Sequence, residues 1–285
     1  MKSNHFIIIL SITTLAFYAC GNKKTESESS NKKAEIIKQV SEKPLNISIY
    51  LDLSDRLTRD MTPSQKDRDL AIVEYIADYF KKQTLGPKIL QSKNRLKILF
   101  YPTPNSSDIA TLASELSVDM TKYEGKDKRI ALEGMKDKFT QNLSSIYDKT
   151  LKDNNWPGCD IWDFFSNKQV DRLCIDKEFR NVLIILTDGY LFDDKHRVQE
   201  GNAYSYVTPS TLKNPNSTLI VRRNGLENLE VRVLEINPID KNHRDQLVNV
   251  LEKWLSEMGV RREKMTVSET DLPSNTQTII ESFLN

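Results

Sequence analysis

The sequence predicts a doubly wound α/β domain, a mostly parallel sheet with helices on both faces. Three observations carry this. Apolar runs at 46–52, 181–186 and 229–236 are the length of buried strands and too short for independent helices. The stretches at 65–83, 128–151 and 244–258 place apolar residues at helical spacing instead. Strand and helix alternate along the chain, as a parallel sheet with crossover helices requires.

Taken in order, the first strand leads into a polar loop at 54–64. The helix after it carries Leu70, Ile72, Val73, Ile76, Ala77 and Phe80 on one face and stops at Gly86-Pro87. A second strand, 95–101, ends at Pro102 and Pro104. A short helix is predicted at 108–116, and Ile130, Leu132, Met135, Phe139, Leu143, Ile146 and Tyr147 support one long helix or two at 128–151. Trp156-Pro157-Gly158 breaks that pattern, and Asp160 is placed to cap a helix beginning at Ile161. The segment 190–224 gives a strand or helix signal only at 218–222. Leu247, Val248, Leu251, Trp254 and Leu255 then mark a helix, followed by a strand at 264–267 and a terminal helix at 275–284.

With 285 residues, 38% hydrophobic and 28% charged, the chain has room for one large domain with a real core. Its 41 basic and 40 acidic residues leave a formal net charge of +1. That balance gives no reason to propose a nucleic-acid partner, which usually requires a strongly basic domain or stripe.

The N-terminus reads as an export signal: Lys2 precedes an apolar run at 6–17, too short for a comfortable membrane span. Phe17-Tyr18-Ala19-Cys20 resembles a bacterial lipobox, although Phe17 and Tyr18 stand where that pattern has Leu and a small residue. The resemblance implies a signal peptide at 1–19, lipid such as palmitate on Cys20, a flexible polar tether at 20–44 and the folded domain at 45–285. It also implies anchoring to a membrane of the bacterial cell envelope, the outer membrane first. The other reading is an ordinary cleaved signal with an incidental Cys20. Cys159 and Cys174 flank 160–165, and in an exported protein they form a disulfide or stay as two buried thiols.

Chemistry concentrates where two of the apolar strands end. Asp52-Leu53-Ser54-Asp55-Arg56 closes the first, and Leu186-Thr187-Asp188-Gly189 closes that at 181–186. If these strands are parallel neighbours, Asp52, Ser54 and Asp188 meet at the sheet edge where open α/β folds place ligands. Converging oxygen ligands there suit Mg²⁺ or Ca²⁺.

These two motifs resemble the first and third metal loops of von Willebrand factor type A domains. The resemblance implies a metal-ion-dependent adhesion site in which Asp52, Ser54 and Asp188 hold the cation, with Asp160 in place of the Thr of the second loop. Arg56 departs from the pattern, because it stands where the family has a second Ser and offers no acceptor. The site therefore holds a cation, is degenerate, or is salt-bridged with Arg56 in the cation's place. The implied function is binding an unidentified protein partner rather than turnover, with Arg56, Asp193 and Asp194 as further partner contacts. Asp193 and Asp194 read equally as a solvated turn. A rival reading is a haloacid dehalogenase-like, Mg²⁺-dependent phosphatase with Asp52 as nucleophile, but Ser54 stands where its acid would be. A structural domain with a degenerate metal site is the third.

Overall fold

The computed structural model describes residues 43–154, 156–189, 198–200, 203–205, 223–238 and 244–285. The lipobox with Cys20, the tether, the strand or helix expected at 218–222, and Asp193 with Asp194 lie outside the described residues.

The strands are β1 (Leu45–Leu51), β2 (Arg95–Leu99), β3 (Ser117–Asp119), β4 (Arg180–Leu186), β5 (Val198–Glu200), β6 (Ala203–Ser205), β7 (Leu229–Ile236) and β8 (Met265–Glu269). Among the described residues the helices are α1 (Gln65–Thr84), α2 (Ser107–Ser114), α3 (Asp127–Asp153), α4 (Ile161–Ser166), α5 (Gln169–Cys174), α6 (Arg244–Glu257) and α7 (Pro273–Leu284). The main sheet has the order β3-β2-β1-β4-β7-β8, and β5 pairs with β6 as a separate antiparallel ribbon. Every pairing in the main sheet is parallel except β2 with β3 at the edge. The fold is thus the doubly wound α/β sheet expected from the sequence.

β1 and β4 are central, and all seven residues of β1 are buried. Burial on both faces is why β4 reads as an unbroken apolar run from Val182 to Leu186. By contrast β1 interposes Asn46 and Ser48, and the Asn46 amide is satisfied by the Asn181 side chain and the Cys174 carbonyl. On one face Ile47, Ile49 and Leu51 pack with Ile72 and Phe80 of α1, Phe139 and Leu143 of α3, and Ile280 of α7. On the other, Leu183, Ile185, Val231 and Val233 pack with Phe164 of α4, Val170 of α5, and Leu251 and Trp254 of α6. The segment 128–151 resolves as one helix, ended by Asn154 in the left-handed region. Among the described residues no helix is long and apolar enough to cross a membrane.

Three elements differ from the sequence-based expectation. The strand β3 was not anticipated, because three residues at an edge carry no periodicity. The helix α5 was not anticipated either; it has only Val170 and Cys174 buried. The antiparallel ribbon of β5 and β6 falls in the segment 190–224, where no strand was expected at 198–205.

Candidate functional site

The strand order reverses between β1 and β4: the chain steps outward to β2 and β3, then returns to add β4 on the opposite side of β1. Such a reversal opens a crevice beyond the carboxyl ends of the two strands. Their register pairs Leu51 with Leu186, so Asp52 and Thr187 emerge side by side there. The Asp52 amide still donates to the Leu186 carbonyl, at 3.1 Å.

Asp52 is buried and held by both oxygens. Oδ1 accepts the Ser54 amide at 2.9 Å, the short-range turn that Asp favours, and Oδ2 accepts the Thr187 hydroxyl at 2.7 Å. Ser54 then caps a short 3-10 turn, Asp55–Thr58, that carries Arg56 back under the loop. Gly158 bridges to Leu53 through both backbone groups, which brings the Trp156-Pro157-Gly158 loop against the end of β1.

Arg56 is the unusual residue of the site, because its side chain is only 1% exposed. Nη2 donates to Asp69 Oδ2 at 2.5 Å, Nε donates to the Asp52 carbonyl at 3.0 Å, and Nε lies 3.8 Å from Asp52 Oδ2. Asp69 sits on α1 and is closed off on its other sides, accepting the Tyr147 hydroxyl from α3 at 2.7 Å and the Gln65 amide at 2.9 Å. Burial opposes the charge on Arg56, but Asp69 and then Asp52 outweigh it and raise the guanidinium pKa above its ordinary value. Burial, followed by Asp69, pushes the Tyr147 phenol well up, so it stays a neutral donor.

A second guanidinium guards the other strand. Arg59 Nη2 lies 2.5 Å from Asp188 Oδ2, and Arg59 Nη1 donates to the Asn237 carbonyl. Arg59 is 20% exposed and Asp188 7%. Gly189, at φ +97°, turns the chain away while its amide donates to the Thr187 hydroxyl at 3.3 Å. Close by, Arg68 forks onto Glu235 at 2.7 and 3.1 Å, tying α1 to the end of β7.

The structure brings Asp52, Ser54 and Asp188 to one sheet edge. Asp160 caps α4, its Oδ1 accepting the Asp163 amide at 2.8 Å, while its own amide donates to the Tyr101 carbonyl at the end of β2. Arg56 is corrected as a partner contact, since it is buried and ion-paired inward rather than displayed. The disulfide is corrected too: Cys159 and Cys174 are separate buried thiols, Cys159 beside Tyr50 and Cys174 beside Ser48, two residues apart on β1.

The cation implied by the von Willebrand factor A resemblance does not fit this donor set. Asp52 is engaged by Ser54, Thr187 and Arg56, and Asp188 by Arg59, so guanidinium groups sit against both carboxylates that would hold the ion. Among the described residues no group of three His, Cys, Asp or Glu side chains forms a metal-binding set.

Asp69, Arg59, Thr187 and Tyr147 belong to the site although the sequence reading gave them no role in it. One of them left a signal: Asp69 lies on the same buried stripe of α1 as Gln65, Ile72, Val73 and Ile76. A carboxylate on an apolar stripe needs a cationic partner.

No family model matches the sequence, and no curated protein matches it. Among solved structures the chain is similar to the conserved hypothetical protein BatB from Bacteroides thetaiotaomicron, at 12% identity and TM-score 0.41, over 84% of this chain and 97% of that one. It is also similar to the pilus adhesin SpaC from Lactobacillus rhamnosus GG, at 12% identity and TM-score 0.45, over 84% of this chain and 30% of the adhesin. Proximal thread matrix protein 1 from the mussel byssus gives 12% identity and TM-score 0.32, over 85% and 48%. At TM-scores below one half these likenesses carry no argument about function, which rests on the residues themselves.

Proposed function

We propose that the chain is a von Willebrand factor A-like binding module, tethered to the bacterial cell envelope by lipid on Cys20, that engages a protein partner through its strand-edge surface. The observation that carries the reading is the construction of the edge between β1 and β4. Its outer layer is the loop after β1, where Asp55, Thr58 and Asp60 are exposed and Ser54 and Arg59 half-buried. Beneath that loop lies the ionic base of Asp52, Arg56 and Asp69. A fixed base under an exposed acidic loop presents one conformation to a partner, which lowers the ordering cost of association. No turnover is assigned: Asp52 is hydrogen-bonded through both oxygens, which favours a positioning role over that of a nucleophile.

The test places a photo-crosslinking amino acid in the full-length chain, in cells of the bacterium that makes it. One variant carries it at Asp55, another at exposed Lys138 on α3. A discrete adduct from position 55 and none from 138 is the expected result; identical adducts, or none from 55, overturn the assignment. Membrane fractionation of a Cys20→Ser variant tests the tether separately, since the protein then leaves the membrane fraction. Partition unchanged from wild type would sink the lipid anchor.

A further inference from the structure

We propose that Arg56 is the resident cation of the strand-edge site, so that the site needs no divalent ion and accepts one only when the guanidinium is removed. This goes beyond the binding reading and stands without it. The guanidinium lies between Asp52 and Asp69, whose Oδ2 also accepts the Tyr147 hydroxyl, with the Ser54 hydroxyl at the start of its own turn. These are hard oxygen donors of the kind that hold Mg²⁺, Mn²⁺ or Ca²⁺. The positive charge they demand is supplied covalently.

Two details separate this from an ordinary buried ion pair. Arg56 Nη1 is buried with no hydrogen-bond partner, although a planar guanidinium at a site shaped for it uses its fork fully. The surroundings therefore satisfy the charge of Arg56 better than they satisfy its donors. In addition Arg59 neutralises Asp188 from outside, so the second strand-end carboxylate is also countered by a side chain. Exchanging Arg56 for Ser removes the guanidinium, returns a hydroxyl, and leaves Asp69 without its cationic partner and Asp52 Oδ2 3.8 Å from where Nε stood. Two buried carboxylates in that position recruit a cation or become protonated.

The experiment uses the full-length protein, metal-stripped, with Mn²⁺ as the probe. Binding is followed by calorimetry and by electron paramagnetic resonance of the free ion, and stability by thermal unfolding. Wild type is expected to show no Asp52-dependent Mn²⁺ binding and no Mn²⁺-dependent rise in Tm. The Arg56→Ser variant is expected to have a lower Tm that Mn²⁺ restores, by roughly 5–10 °C at a hundredfold excess over Kd. That rise is expected to vanish in Arg56→Ser/Asp52→Asn. Wild-type binding that disappears in Asp52→Asn overturns the proposal, and so does a folded Arg56→Ser chain that Mn²⁺ neither binds nor stabilises. If Arg56→Ser does not fold with or without Mn²⁺, the wild-type titration decides alone: Asp52-dependent binding overturns the proposal and its absence supports it.

Discussion

Replacing Asp69 by Ala tests the energetics of the buried base most directly. Asp69 is fully buried and accepts from Arg56, Tyr147 and Gln65. Its removal strands the Arg56 guanidinium, whose remaining ionic contact is Asp52 at 3.8 Å. Breaking a buried pair from one side costs about 3–5 kcal/mol, and an orphaned buried hydroxyl such as that of Tyr147 costs about 1–3 kcal/mol. Because both share Asp69 Oδ2, the costs overlap, and a loss of about 4–6 kcal/mol is expected. For a unit of this size that lowers Tm by roughly 10–20 °C. The assay is urea unfolding, with the midpoint falling and the slope unchanged. Since exchanging both members of a buried pair for apolar groups is nearly neutral, Asp69→Ala/Arg56→Met is expected to recover most of the loss. A single variant that loses less than about 1 kcal/mol, or a double variant no more stable than the single, would refute the buried-charge reasoning.

Three other outcomes follow. Gly189→Ala places a Cβ 3.0 Å from Ile236 Cδ1 at φ +97°, and because Ile236 is itself buried, a loss of roughly 2–3 kcal/mol is expected in urea unfolding. Glu235 holds φ 69° within β7, so Glu235→Gly and Glu235→Ala both strand Arg68, but Gly should be milder by about 1 kcal/mol; an Ala variant as stable as Gly would remove strain from the account. Burial, then Asp52, pushes the Cys159 thiol well up, and burial pushes Cys174 up to about 11. Both are therefore neutral thiols at pH 8, and in a Cys20→Ser chain they should react with Ellman's reagent only at the rate of unfolding. Fast modification of folded protein would contradict their burial.

How far the sequence reveals the molecule depends on how each residue signals its surroundings. The strand β4 was legible because burial on both faces demands an unbroken apolar run, β1 and β7 because branched apolar residues recur in them between Asn46, Ser48, Glu230 and Arg232, and α1 and α3 because their one buried stripe repeats at helical spacing. Asp52 and Asp188 were legible as carboxylates ending such runs. That Arg56 breaks the metal-loop pattern was visible as well, but the destination of its charge was not. Asp69 is thirteen residues on, Tyr147 contacts Asp69 across seventy-eight, and Thr187 contacts Asp52 across one hundred and thirty-five. The last two depend on sheet order and crossover paths, which local periodicity does not encode.

The reach of those contacts also bears on time. The base of the site joins the loop after β1 to α1, α3 and the end of β4, and Arg68 with Glu235 spans one hundred and sixty-seven residues. The Arg56–Asp69 pair closes only thirteen residues, but the Arg68–Glu235 pair forms only after α1 and β7 have met, because loop closure precedes any gain from the contact. A pair that forms after the transition state acts on the rate of escape from the native state. In stopped-flow urea jumps Glu235→Gly is therefore expected to accelerate unfolding far more than it slows refolding, and equal effects on both rates would place the pair in the transition state. The Arg68–Glu235 pair is in this sense a latch: it adds little to the speed at which the chain folds, and much to how long it stays folded.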